Sequence, residues 1–173
     1  LIEKAAKAAE GSITFLFQGG EPTLAGLDFF RDFVSHVKKT VPPKLAVYYA
    51  IQTNGILLDQ EWCRFFKENN FLAGLSLDGS RECHDRFRLD GNGKGTYDRV
   101  QQAARQLERA GVEYNVLTVV TGYLARHVQS AFSSLCRQGF RFQQYIPCLD
   151  PLEEERGGQG YSCLLYTSDA ADD

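Results

Sequence analysis

The chain has 173 residues, of which 43% are hydrophobic and 24% are charged, and its formal net charge is −3 at pH 7. This length and composition fit one soluble globular domain, and the slightly acidic balance gives no basic patch for nucleic acid. No apolar run reaches the length of a membrane span, so neither nucleic acid nor a membrane is an expected partner. The five cysteines are odd in number and widely spaced, which favours reduced thiols in a cytoplasmic protein.

Both ends of the chain predict a fragment of a longer protein. The sequence contains no methionine and opens inside a helical pattern, LIEKAAKAAEG. Its last stretch, CLLYTSDAADD, fits no helix or strand period and resembles the translation of a sequencing adapter. We therefore expect a core domain over residues 1–151 and a non-native or disordered tail over 152–173, adapter-derived from about Cys163 onward.

Predicted strands and helices alternate along the chain. Runs of apolar, β-branched and aromatic residues predict five strands, at 13–17, 45–51, 71–77, 113–120 and 141–146. Helical patterns lie between them, at 27–39, after a capping Asp59, after a capping Thr96 and at 127–138. This order predicts parallel strands with right-handed crossovers. The strands are almost continuously apolar, which predicts a sheet covered on both faces.

The residues that follow the predicted strands are polar and rich in glycine. They read QGGEP, QTNG, SLDG, TG and IPCLD in chain order. Because ligands bind at the carboxyl ends of strands in parallel α/β folds, we expect these loops to form one ligand-facing rim. Gly19 and Gly20 remove side chains from the end of the first strand, which suits either a tight turn or the close approach of a ligand.

Several of these segments together resemble a known family. GGEPTL after the first strand, AIQTNGILLD at the second and GLSLDGSRECHDRFR at the third are similar to the radical SAM superfamily. Within it, they resemble the SPASM-containing anaerobic sulfatase-maturating enzymes, and EWCRFFKENNF, GTYDRV and QYIPCLDP strengthen that match. The resemblance covers about residues 13–151. It implies an α/β fold, a parallel partial (β/α)6 barrel of the radical SAM type, incomplete at both ends.

The resemblance also implies the chemistry of the intact protein. Such enzymes use S-adenosyl-L-methionine (SAM) and 4Fe–4S clusters to make a 5′-deoxyadenosyl radical, which leads to oxidation of a Cys or Ser of a target sulfatase to Cα-formylglycine. The implied partners are the sulfatase polypeptide and an electron donor such as flavodoxin or ferredoxin. The sequence contains neither the cluster-binding CxxxCxxC loop nor the SPASM domain. We therefore expect this fragment alone to be inactive, with no catalytic residue or metal ligand of its own.

At the end of the first strand, the resemblance assigns residues to both cofactor and substrate. Gly19 and Gly20 match the cofactor-binding turn, where backbone carbonyls accept hydrogen bonds from the SAM ammonium. Glu21 either holds this loop or meets the ammonium itself. Gln18 points to the rim by alternation with Leu16 and matches a substrate-binding glutamine, with a capped edge amide as the alternative.

Later strand ends supply the remaining expected SAM contacts. Ser76 matches a SAM-binding serine, although serine in an apolar strand is also a common core residue. Arg88, which the pattern places in a long loop, matches a SAM-binding arginine and can grip a carboxylate with two parallel hydrogen bonds. Leu149 matches a position that contacts the adenosyl moiety. Asp78 is expected only to form a turn, and Cys148 only to pack.

Two other functions are compatible with the same residues. A different SPASM-type radical SAM peptide maturase would use the same rim on another target peptide. A non-catalytic (β/α) module would bind a nucleotide or a protein partner without radical chemistry. A CxxxCxxC loop in the upstream coding sequence would distinguish the enzymes from the module.

Overall fold

The structure, a computed structural model, describes residues 1–149, in which strands and helices alternate as predicted. The strands are β1 Ser12–Phe17, β2 Ala46–Thr53, β3 Phe71–Ser76, β4 Tyr114–Val120 and β5 Gln143–Pro147. The helices are α1 Ile2–Ala8, α2 Leu27–Thr40, α3 Gln60–Glu68, α4 Arg81–Phe87, α5 Tyr97–Ala110, α6 Gly122–Arg126 and α7 Val128–Arg137, with a 3-10 turn at Pro22–Ala25. Each predicted strand lies within about two residues of its expected bounds.

The five strands form one parallel sheet in the order β1-β2-β3-β4-β5. β1 pairs with β2, β2 with β3 and β4 with β5, each pair in parallel. The Ala73 N–H donates to the Glu113 carbonyl and the Leu77 N–H to the Leu117 carbonyl, both at 3.0 Å. Because the two sequence numbers rise together, β3 and β4 also run in the same direction. The predicted parallel α/β arrangement is therefore confirmed.

The described chain divides into two compact units. The first comprises Leu1–Leu75 and Gln101–Tyr114. The second comprises Ser76–Val100 and the chain from Asn115 onward. The expected site residues are divided accordingly, with the glycine-rich end of β1 in the first unit and the segment after β3 in the second.

Aromatic side chains build the core of the first unit. The ring centroid of Phe17, at the end of β1, lies 4.8 Å from Phe30 and 5.0 Å from Phe33 of α2. Tyr49 of β2 stacks on Phe71 of β3 at a centroid distance of 4.9 Å. Each such pair contributes about 0.5–1.5 kcal/mol of stability in addition to the stability gained by burying its apolar area. These contacts fix the side of β1 on which α2 packs.

The other side of β1 and β2 is exposed in the described part of the chain. Leu16 is 58% exposed and Tyr48 is 57% exposed, whereas Phe15, which faces Phe33 of α2, is buried. The prediction that both faces of the sheet are covered is therefore wrong for these two strands. It holds for β3, whose residues are buried except for Leu72.

A tightly packed turn organises the second unit. Gly79, between β3 and α4, has φ +68°, and a Cβ on it would lie 2.5 Å from the Cβ of Ala131 in α7. Ala131 belongs to a buried cluster with Cys83 of α4 and Leu124 of α6. Only glycine allows this turn to adopt its left-handed conformation and to approach α7 so closely.

The two predicted helix caps have different outcomes. The Asp59 carboxylate accepts hydrogen bonds from two backbone N–H groups of α3, both at 2.9 Å, so this cap is confirmed. Thr96 precedes α5 as predicted, but its hydroxyl donates to the Arg88 carbonyl at 2.9 Å. The first N–H of α5, from Tyr97, is satisfied instead by the side chain of Asp85 at 2.9 Å.

Two short helices occupy segments that the sequence pattern predicts as loops. α4 begins after Ser80, whose Oγ accepts a hydrogen bond from the Cys83 N–H at 3.3 Å. α6 begins after Thr121, whose Oγ1 accepts from the Leu124 N–H at 3.1 Å. Both helices are too short for a hydrophobic period to stand out, and their capping hydroxyls are the available sequence signal.

The predicted tail and its boundary at residue 151 lie outside the described residues, and so does Cys163. Within the described part of the chain, no helix has the length and apolarity needed to cross a membrane.

Candidate functional site

The carboxylate of Glu21 joins the loops that follow β1 and β2. Its Oε1 accepts hydrogen bonds from the hydroxyls of Thr23 at 2.6 Å and Thr53 at 2.7 Å. Its Oε2 accepts from the Asn54 N–H at 2.7 Å. Thr23 and Thr53 are 2% and 1% exposed, so two of these bonds are shielded from water. Glu21 therefore holds the loop, which is one of its two expected roles, and its contact with an ammonium stays a prediction.

Gly19 and Gly20 form an exposed turn with left-handed backbone. Their φ angles are +100° and +55°, which L side chains rarely adopt. A Cβ on either residue would meet no atom of the described chain within 4 Å. Backbone conformation favours glycine here, and the open space beside the turn would admit a ligand to the backbone.

Gln18 lies on the open side of β1, as predicted. Phe17 faces α2, so the period-two alternation of the strand turns Leu16 and Gln18 the other way. Phe17 pairs in register with Ile51, which sets the next position, Gln18, beside Gln52. Gln18 is exposed. Its contact with a substrate peptide stays a prediction.

In the second unit, Arg88 forms an ion pair with Asp78. Arg88 Nε donates to Asp78 Oδ2 at 2.5 Å and Nη2 donates to Oδ1 at 3.2 Å. Oδ1 also accepts from the Val119 N–H at 2.8 Å. The Asp78 side chain is only 6% exposed and that of Arg88 is 24% exposed. The expectation that Asp78 only forms a turn is wrong, and Arg88 lies at the end of α4 rather than in a long loop.

His84 of α4 connects the backbone of Asp78 to the backbone of Arg88. Its Nδ1 accepts from the Asp78 N–H at 3.2 Å, so the ring proton lies on Nε2, 3.0 Å from Thr96 Oγ1. Thr96 in turn donates to the Arg88 carbonyl. His84 is fully buried, and this burial lowers its pKa to about 4, which keeps the ring neutral at physiological pH.

Ser76 and Leu149 lie at the ends of β3 and β5. Ser76 is 9% exposed and is the last residue of β3. Leu149 is 58% exposed, and the Cys148 N–H before it donates to the Val120 carbonyl at 3.0 Å. The second unit thus presents Ser76, Arg88 and Leu149 at or after its strand ends. The convergence of these residues with Gly20 around one cavity stays a prediction.

Pattern reading missed three residues that hold the site residues in place. Asp78 and His84 support Arg88, and Thr53 supports Glu21. A signal for Asp78 existed, because an acid directly after a fully apolar strand is buried and needs a cation. No comparable signal existed for Thr53, whose partner Glu21 is 32 residues away, or for His84, whose ring bonds neighbouring turns rather than its own helix.

The described residues do not fit an iron–sulfur cluster. A 4Fe–4S cluster needs closely grouped cysteine thiolates. Residues 1–149 contain no group of three or more His, Cys, Asp or Glu side chains that could hold a metal ion. Cys63 and Cys83 are buried, and burial raises the pKa of the Cys63 thiol to about 11, which disfavours the thiolate. The absence of a metal ligand from the whole chain stays a prediction.

The parallel sheet with helices between its strands places this protein in the α/β class. The chain belongs to the Radical SAM superfamily, whose family model matches residues 1–134. Its relatives include a cysteine-type anaerobic sulfatase-maturating enzyme of Clostridium novyi (strain NT), 48% identical over 94% of this chain and 43% of the relative. A serine-type enzyme of Klebsiella aerogenes is 34% identical over 82% of this chain and 35% of the relative.

A solved structure has the same fold as this chain. Native anSMEcpe with bound AdoMet and the Cp18Cys peptide superposes with a TM-score of 0.90 at 43% identity, covering 93% of this chain and 45% of that one. The predicted α/β fold of the radical SAM type and the resemblance to the sulfatase-maturating enzymes are thereby confirmed. The chain spans less than half the length of these relatives.

Proposed function

We propose that the full-length protein carrying this chain is a radical SAM enzyme that oxidises a cysteine of a target sulfatase to Cα-formylglycine. The observation that carries the proposal is the 48% identity with a cysteine-type sulfatase-maturating enzyme over 94% of this chain. The lower identity of 34% with a serine-type enzyme favours cysteine over serine as the oxidised residue. No observation here favours a different peptide maturase or a non-catalytic module.

The role of this chain in the proposed enzyme is to bind and orient SAM. SAM carries an ammonium, which needs close acceptors, and a carboxylate, which needs a cation or hydrogen-bond donors. The open left-handed turn at Gly19 and Gly20 suits the ammonium through its backbone carbonyls. Ser76 and Arg88 suit the carboxylate, since a hydroxyl and a guanidinium both donate hydrogen bonds. Leu149 suits the adenosyl moiety by apolar contact.

The proposed enzyme also needs a peptide substrate and an electron, which other molecules supply. Gln18 suits a peptide backbone, because its amide both donates and accepts. When bound, SAM with a reduced 4Fe–4S cluster supplies a radical that can remove a hydrogen atom from an unactivated carbon. The sulfatase polypeptide, an electron donor such as flavodoxin or ferredoxin, and a cytoplasmic location all belong to this proposal as predictions.

Peptide conversion tests the proposed function. The full-length protein, reconstituted with iron and sulfide without oxygen, is incubated with SAM, dithionite and a sulfatase peptide that contains the target cysteine. Mass spectrometry should detect conversion of the cysteine to the aldehyde, and the matched serine peptide should react more slowly. Cleavage of SAM with a cross-linked or unmodified peptide would instead indicate another maturase. Failure to bind SAM at all would indicate a non-catalytic module.

A further inference from the structure

The guanidinium of Arg88 has one edge occupied and one edge available. Asp78 takes the edge formed by Nε and Nη2, through bonds of 2.5 and 3.2 Å. Within residues 1–149 the guanidinium makes no other hydrogen bond or ion pair. A guanidinium has five N–H donors in a planar fork, so the edge formed by Nη1 and Nη2 can still bind a second carboxylate with two hydrogen bonds.

Burial of Asp78 turns this ion pair into a rigid support. The Asp78 side chain is 6% exposed and is held by the Val119 N–H as well as by Arg88. The Arg88 side chain is 24% exposed, so part of it reaches the surface while its partner lies inside. A shielded, bidentate pair restrains geometry far better than an exposed one. The pair between Arg81 and Asp98 in the same unit is of the exposed kind, with side chains 56% and 76% exposed.

The backbone at both ends of the pair is fixed as well. His84 accepts from the Asp78 N–H, and Thr96 donates to the Arg88 carbonyl, while Nε2 of His84 and Oγ1 of Thr96 lie 3.0 Å apart. The Arg88 N–H donates to the His84 carbonyl at 2.9 Å. The side-chain pair and this buried chain of hydrogen bonds close a ring that leaves the guanidinium little freedom to rotate.

We propose that Asp78 is a positioning residue that aims the outer edge of Arg88 at the carboxylate of SAM. The inference rests on the proposed function, because it names Arg88 as a SAM ligand. Asp78 itself touches no part of the cofactor in this account. It acts by removing the rotamer freedom that an isolated arginine would lose on binding, so the carboxylate meets an edge that is already in place.

A double-mutant cycle on SAM affinity tests this role. Titration calorimetry measures SAM binding by the reconstituted full-length protein for wild type, Asp78→Asn, Arg88→Ala and the double variant. Asp78→Asn preserves shape and removes the charge, and we expect it to weaken SAM binding by at least about tenfold. In the Arg88→Ala background the same change should have less than about a twofold effect, because the residue through which Asp78 acts is gone. Asp98→Asn is the matched control, and wild-type affinity is expected.

A second ligand separates positioning from general damage to the site. Decarboxylated SAM lacks the group that Arg88 is proposed to bind, so Asp78→Asn should change its affinity by less than about twofold. Equal losses for both ligands, additive losses in the cycle, or wild-type SAM affinity in Asp78→Asn would each overturn the inference. A wild-type protein that fails to bind SAM would overturn the proposed function together with it, whereas the other outcomes leave that function intact.

Discussion

At the scale of single residues, the candidate site depends on groups whose environment restricts them to one state. Glu21 accepts hydrogen bonds from two buried hydroxyls and is committed to its loop. Gly20 holds φ +55° beside open space. Arg88 is tied to a nearly buried Asp78. Glu21 and Arg88 are fixed by their neighbours before any ligand arrives, which lowers the entropy cost of binding.

His84 predicts a specific pH dependence of stability. Burial lowers its folded-state pKa to about 4, against about 6.5 in the unfolded chain. Between these pH values the unfolded state binds more protons than the folded state. The stabilisation that neutral His84 gives the folded state is therefore complete above pH 6.5 and is lost as the pH falls toward 4. We expect the His84 contribution to the free energy of unfolding to fall by about 3 kcal/mol across this window. Urea unfolding at a series of pH values measures it.

Two variants isolate the contribution of His84. His84→Gln removes the titrating group and should flatten the pH dependence between 4 and 6.5, whatever its effect on stability at pH 7. His36→Gln changes an exposed histidine and should leave the wild-type slope. Identical slopes for wild type and His84→Gln would show that His84 does not contribute to this dependence.

At the scale of secondary-structure elements, close packing of α7 on the turn before α4 places the segment that leads to Arg88. A Cβ at Gly79 would lie 2.5 Å from that of Ala131 and would also occupy a left-handed backbone. We expect Gly79→Ala to destabilise the chain by about 2–4 kcal/mol, the sum of overpacking and backbone strain. Thermal or urea unfolding measures this loss.

Part of the steric loss can be recovered by a second substitution, although a Cβ at Gly79 would still lie 3.0 Å from the Cα of residue 131. Ala131→Gly removes the opposing methyl group at a cost of about 1 kcal/mol in a helix. The double variant should therefore be more stable than the sum of the two single losses predicts, by at least about 1 kcal/mol. Gly91→Ala, at an exposed site with no atom of the described chain within 4 Å, should change stability by less than about 0.5 kcal/mol. Additive losses would contradict the packing argument.

Elements with strong local patterns were predictable, and those built by distant partners were not. The strand ITFLF and the capped helix after Asp59 follow from alternation and a capping carboxylate, and both are present. α4 was missed because SRECHDRFR has too few apolar residues for a period. The side chains at the site follow the same rule. The outward direction of Gln18 and the turn at Gly20 could be predicted from the local sequence. The Asp78–Arg88 ion pair could be found only from the folded structure.

At the scale of the whole molecule, the chain contributes one part of a larger proposed enzyme. It spans less than half the length of its relatives, and its described residues contain no metal-binding group. What it contributes is the parallel sheet, the strand-end turns and the arginine that suit SAM. We therefore expect these residues to bind SAM in the full-length protein.

Titration calorimetry of SAM into the reconstituted full-length protein measures this binding, with each variant matched to a control. Arg88→Ala should weaken binding by about 1.5–3 kcal/mol, the scale of a charge-assisted hydrogen bond, while Arg81→Ala should not. Gly20→Ala should also weaken binding. Gly26→Ala, at another glycine with a positive φ of +81° and no described atom within 4 Å of an added Cβ, should bind normally. Wild-type affinity in Arg88→Ala and Gly20→Ala would contradict the account.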